Sequence, residues 1–219
     1  GCKYDIVLGL VGPQGGGKST SFRFLALNDE WFTDDLGNLG DKHVYEKMNG
    51  HWIIELSEMG AIVKAKSIEE TKSYISRQSE IYRMPYDKYA EERRRQCVFC
   101  GTSNDTSFLP FDRSGNRRFA PVEVDSSKAE VHPMADEQTA RAYIRQMWAE
   151  AMGIYRSGSF ELTFSKEMES YALEMQRRFM PEDTTMGQVL DYLERNNITR
   201  TCVKEIYCKV FGHFATDEV

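Results

Sequence analysis

No apolar run in these 219 residues approaches the roughly 20 needed to cross a bilayer, so no membrane partner is expected. Positive charge is in deficit: 28 Lys and Arg against 34 Asp and Glu leave a net charge of -6. That excludes a uniformly basic nucleic-acid coat while leaving room for local basic surfaces. Cysteine is scarce and odd in number, five in all with no scaffold spacing, which excludes a disulfide-stapled fold. Cys97 and Cys100 form the one C-x-x-C. Residues three apart on a strand point to opposite faces, so these read as buried strand thiols, not as a zinc or redox pair. Internal repeats and low-complexity tracts are absent. Nothing ahead of the first apolar run has the pattern of a secretory signal, and a cytoplasmic setting is expected. The chain opens on Gly1 and enters a strand within a few residues, as expected of a piece of a longer protein.

What is present starts at residues 12–20, GPQGGGKST. Gly12, Gly17, Lys18 and Ser19 satisfy the G-x-x-x-x-G-K-[ST] phosphate-loop pattern, with Pro13, Gln14, Gly15, Gly16 and Thr20 completing the stretch. An apolar run at 6–11 reads as a buried strand feeding the loop, and Phe22, Leu25 and Ala26 at helical spacing start a helix near Lys18. Glycines let backbone N–H groups turn toward phosphates, and the helix start adds its positive dipole end. Lys18 is expected on the β- and γ-phosphates of ATP, and Ser19 on Mg2+.

Strand-like runs recur at 52–56, 97–101 and 118–124, with helical stretches between them, which argues for an α/β fold around a mainly parallel sheet. Ser67 and Glu70 form a capping box for a helix carrying Tyr74, Ile75, Ile81 and Tyr82 on one face. The character changes near Asp136, giving an expected core at 1–135 and an all-helical extension at 136–219. In that extension Ala140, Tyr143, Ile144, Met147, Trp148, Ala151, Met152 and Tyr155 make a stripe expected to pack as a core face. Two short helices near 186–193 and 203–210, with Gly212 as a C-terminal cap, read either as the start of a winged-helix unit or as a helical lid.

Three further segments bear on an ATP site. In HWIIELSEM, 51–59, apolar residues end in acids at a strand tip. Glu55 suits the outer shell of the metal and Glu58 the polarisation of attacking water, although the spacing leaves the two roles exchangeable. QCVFCGTSN then places Asn104 at the tip of a strand, where an amide can orient water or contact the γ-phosphate. FDRSGNRRFAPV presents Arg117 and Arg118 just before another strand, either of which suits an arginine finger, with Arg113 a weaker candidate. Between the acidic and amide strands, basic and aromatic residues interleave, including Lys64, Tyr86, Lys88, Tyr89 and Arg93 to Arg95. That pattern suits a strand-gripping hairpin with Lys64 or Lys88 at its tip.

In this order GPQGGGKST, WIIELSEM, CGTSN and SGNRRFAPV resemble the virulence-associated protein E family over roughly residues 5–155. One departure is Ala120, where the family carries a bulky aromatic. The resemblance implies a P-loop NTPase of AAA+-like, superfamily III helicase type, related to the helicase portions of phage and plasmid primases. It further implies an ATPase acting on single-stranded DNA as a homo-oligomeric ring, with a hexamer the expected size. Lys18 and Ser19 would serve the nucleotide, Glu55 and Glu58 the acidic motif, Asn104 the sensor, and Arg117 or Arg118 the finger in trans. Two alternatives remain open from the residues: a nucleoside or nucleotide kinase, and a nucleotide-gated DNA-binding switch with little turnover.

Overall fold

The structure is a computed structural model and describes residues 3–37, 44–57, 59, 68–109, 116–181 and 184–212. β1 (Val7–Val11) is the apolar run before the glycine loop, and α1 (Lys18–Leu25) begins at the lysine that ends it. β2 (Phe32–Thr33), α2 (Val44–Met48), β3 (Ile53–Leu56) and α3 (Ile68–Ile75) follow. An antiparallel hairpin of β4 (Ser79–Tyr82) and β5 (Glu91–Arg94) precedes β6 (Val98–Ser103) and β7 (Phe119–Glu123). Then come α4 (Glu137–Ser157), α5 (Lys166–Arg178), α6 (Thr184–Arg195) and α7 (Val203–Phe211).

The main sheet runs in the order β2-β3-β6-β1-β7, with every adjacent pair parallel. Parallel neighbours need crossover connections, and these bring all strand C-termini to one edge. Because β6 stands between β1 and β3, its tip lies between the loop after β1 and the tip of β3. Side-chain alternation then sorts the core. Val7, Val11, Ile54, Leu56, Phe99 and Phe119 join Tyr74 and Ile75 of α3 and Met175 of α5 on one face. Leu10, Ile53 and Cys100 lie with Phe22 and Leu25 of α1 on the other. Both faces are covered, as an all-parallel sheet requires.

Cys97 packs against the first of these clusters and Cys100 within the second, the opposite-face arrangement that their spacing predicts. Burial pushes the Cys97 thiol up to about 11 and raises that of Cys100 as well. Both stay protonated at neutral pH, and among the described residues no three His, Cys, Asp or Glu converge to hold a metal.

Gly9 and Gly101 are register partners on β1 and β6 and together form a notch for Met59, itself 1% exposed. A Cβ on Gly101 would overlap the Met59 sulfur, and one on Gly9 would stand 2.7 Å from its methyl carbon. Gly101→Ala is therefore expected to cost about 1–3 kcal/mol through overpacking, read as a lower urea midpoint with an unchanged slope.

Two expectations change. The helix predicted through Tyr82 ends at Ile75, and Ile81 and Tyr82 belong to β4. Long-range pairing of Ile81 with Glu92 and Tyr82 with Glu91 outweighs their helical spacing. On α4, only Ala140 of the apolar stripe is buried and Ile144 and Trp148 half-buried, while Tyr143, Met147, Met152 and Tyr155 are exposed. Trp148 donates to Leu25 O at 3.0 Å and stacks on Trp52, so the contact with the core is one narrow line at i, i+4 and i+8. By backbone contacts the chain separates into compact units Gly1–Met180 and Pro181–Val219. Asp136 marks a change from α/β to helix inside the first unit, because α4 docks on α1 and α5 on β7. Gln176 of α5, for example, donates to Phe119 O at 2.7 Å. The second unit holds α6 and α7, with Gly212 capping α7 in the left-handed conformation as predicted. No helix among the described residues is long and apolar enough to cross a membrane.

Candidate functional site

At the C-terminal edge of the sheet, four of the residues singled out from sequence come together. The loop after β1 is held open by a backbone bond from Gly12 N to Ser103 O, 3.1 Å. Gly17, at φ +73°, caps α1 without any side-chain hydrogen bond, leaving the N–H groups of the first turn free of a side-chain acceptor. Lys18 is 8% exposed and lies back across the loop. Its Nζ donates to Gly12 O at 2.8 Å, Pro13 O at 2.7 Å and Asn104 Oδ1 at 2.9 Å. Burial lowers the Lys18 pKa, and the negative charge of Glu55 opposes that shift.

Glu55 is placed by strand alternation. Ile54 and Leu56 enter the core under α3, so Glu55 turns to the opposite face, under the start of α1. It is 1% exposed, and its Oε1 accepts from Ser19 Oγ at 2.8 Å and Thr102 Oγ1 at 2.7 Å. Its Oε2 is buried with no hydrogen-bond partner among the described residues. Thr102 belongs to the site although sequence reading noted it only as part of a strand tip. Its signal was available, since Thr102 stands two residues beyond Cys100, the register partner of Glu55, and so on the same face. Glu58 and Arg113 lie outside the described residues.

The two arginines lie elsewhere. β7 runs parallel to β1 with Phe119 opposite Val7 and Glu123 opposite Val11. Arg117 and Arg118 precede Phe119, so four strand residues, roughly 13 Å at 3.3 Å each, separate them from the end of β1 where the loop starts. Within one subunit neither meets Lys18. Arg118 is tied down, its Nε donating to Ser76 Oγ at 2.7 Å and standing 3.9 Å from Asp5 Oδ2. Arg117 is exposed and has no partner among the described residues.

The basic–aromatic stretch forms the hairpin expected of it, with residues 83–90 as its tip. Tyr86, Lys88 and Tyr89 are exposed there, and the Lys88 ammonium lies 5.4 Å from the Tyr89 ring centre. Arg93 pairs with Asp87 at 3.1 Å and with Glu91 at 3.3 Å. Arg95 is buried against Glu80 and donates to Tyr74 O at 2.7 Å and Ile75 O at 2.9 Å. Arg95 therefore braces the hairpin on the end of α3, Arg93 ties the hairpin tip to β5, and Arg94 alone of the three is exposed. Lys64 lies outside the described residues.

Comparison with solved structures finds 74 similar chains. The A-form apo structure of the NrS-1 C-terminal region (305–718) superposes with a TM-score of 0.50 at 16% identity, over 90% of this chain and 51% of that one. A second A-form apo structure of the same region gives a TM-score of 0.47 at 18% identity, with the same coverage. This chain thus spans about half the length of those structures, and the likeness is one of fold. No curated protein shows significant sequence similarity. The profile of the virulence-associated protein E-like domain matches residues 1–181. With most of its length covered by that profile, and with the family's loop, acidic strand and amide tip gathered at one sheet edge, the chain belongs to the virulence-associated protein E-like domain family.

Proposed function

We propose that this chain is an ATP-hydrolysing motor domain of AAA+-like, superfamily III helicase type, acting on DNA as a ring of identical subunits. The observation that carries the reading is the convergence of Lys18, Ser19, Glu55 and Asn104 at one end of the sheet, with a buried Glu55 oxygen left unpartnered. A buried carboxylate oxygen without a donor is a costly arrangement that a hydrated cation relieves. Ser19 and Glu55 are the residues that would hold Mg2+, which would supply positive charge to offset that of the triphosphate.

The loop N–H groups and the start of α1 bind the triphosphate. On binding, Lys18 exchanges the Gly12 and Pro13 carbonyls for phosphate oxygens, which also releases Asn104 to face the γ-phosphate and the attacking water. Thr102 and Ser19 fix the Glu55 carboxylate so that it needs no reorientation during reaction. Arg117, unable to reach its own loop, completes the loop of the next subunit. The exposed apolar residues of α4 are a surface that such assembly would cover. The hairpin tip offers an exposed lysine beside two exposed tyrosines, the combination that grips a single strand by charge and stacking.

The test is MgATP hydrolysis over a range of protein concentrations, with and without single-stranded DNA. Turnover per subunit rising with concentration and stimulated by DNA supports the reading. Glu55→Gln, which keeps the size of the side chain and removes its charge, is expected to lower turnover on the order of a hundredfold. Phosphate transfer to a nucleoside, with no response to DNA, would instead establish a kinase.

A further inference from the structure

A cavity of about 510 Å³ lies beside the phosphate loop, between α1, the segment 128–133 and α4. Its position next to the loop is fixed at two points. Pro133 stands so close to Gly17 that a Cβ there would lie 2.7 Å from its ring. Ser21, one turn into α1, lines the cavity and donates to Gly17 O at 2.9 Å. A polyphosphate seated on the loop therefore has this cavity as its immediate neighbour.

The walls are mainly apolar, with Phe24 from α1, Val131 from the segment and Ile144 from α4. Tyr143 also lines the cavity; it is 66% exposed and makes no ring contact or hydrogen bond among the described residues. Its helix is nevertheless rigidly placed. Arg141 lies 4.2 Å over the Phe24 ring and pairs with Asp29 at 2.9 Å, and Trp148 is anchored on Leu25 O. An aromatic ring with its faces free, carried by an anchored helix on the wall of an apolar cavity beside a phosphate cradle, is what a nucleobase requires.

We infer that this cavity seats the nucleoside of the bound triphosphate, with the base stacked on Tyr143. The inference rests on the reading of residues 12–20 as the phosphate site. Stacking area favours purines over pyrimidines. Selection between adenine and guanine is weak, because Ser21 is committed to Gly17, and Glu130 and Lys128 line the cavity as exposed side chains. Exposed charges of that kind discriminate little.

Calorimetric binding tests this with four Mg2+-bound probes: a non-hydrolysable ATP analogue, its GTP and CTP counterparts, and inorganic tripolyphosphate. Tyr143→Ala is expected to weaken the ATP and GTP analogues about tenfold and leave tripolyphosphate unchanged. Tyr143→Phe, which keeps the ring, is expected to bind as the wild type does, and the CTP analogue to bind more weakly throughout. A Tyr143→Ala protein that is folded by circular dichroism and binds the ATP analogue like wild type overturns the seat, as does equal weakening of tripolyphosphate. A wild-type protein that binds none of the four overturns the phosphate site itself. Binding that is intact and lost in Lys18→Ala, yet indifferent to Tyr143, removes the seat alone.

Discussion

Lys18→Ala is expected to lower MgATP turnover by on the order of 10³-fold without unfolding the protein. The size of the effect follows from the position of the charge. Lys18 is the cation at the centre of the loop, held within hydrogen-bond reach of Gly12 O, Pro13 O and Asn104 Oδ1, in a pocket where solvent screens it little. Retention of the fold follows from the cost of that same burial. Because burial lowers its pKa, charged Lys18 is a liability to the folded state at neutral pH, partly offset by Glu55. The unfolded chain binds the extra proton between the lowered value and 10.5, so this liability fades as pH rises through that window. Alanine removes the liability together with the three hydrogen bonds, and the melting midpoint at neutral pH should move little. Paired measurements of turnover and thermal unfolding check this. A large drop in midpoint would reassign Lys18 to structure, and retained turnover would remove it from the chemistry.

The parts of the site that were legible in sequence are those set by local rules. Strand, glycine loop and helix start succeed one another within 20 residues, and period-2 alternation alone turns Glu55 away from Ile54 and Leu56. What sequence left open depends on partners far along the chain. Arg117 and Arg118 are neighbours of the same type, and only Ser76, on the far side of the hairpin, and Asp5, ahead of β1, separate their roles. The hairpin strand β4 read as helix because Ile81 and Tyr82 continue a three-and-four spacing, whereas its partner lies ten residues on.

The α4 stripe shows a different limit. Periodicity reports that a helix has an apolar face but not how much of that face finds a partner. Here α1 is only 8 residues long and α4 is 21, so the far half of α4 has nothing of α1 to lie on. The exposed tyrosines and methionines that result carry information no periodicity contains: one, Tyr143, lines a cavity beside the loop, and the others form the exposed apolar surface that the proposed ring would cover.

Arg117→Ala is expected to lower turnover by about 10³-fold or more, the effect of losing an arginine finger, while binding of ATP falls far less. Arg118→Ala should lose much less turnover, since its guanidinium is spent on Ser76 and Asp5. The separation of Arg117 from its own loop makes a sharper result available. In a head-to-tail ring each site takes its loop from one subunit and its finger from the next. Arg117→Ala and Lys18→Ala, each inactive alone, should recover activity when mixed. With equal and random mixing, about one site in four joins an intact loop to an intact finger. Recovery toward that level after exchange of subunits, measured as MgATP turnover, is the expected outcome. If mixing restores nothing although the subunits assemble, Arg117 is not acting across a boundary. Full activity of Arg117→Ala alone would remove the finger from this turn altogether.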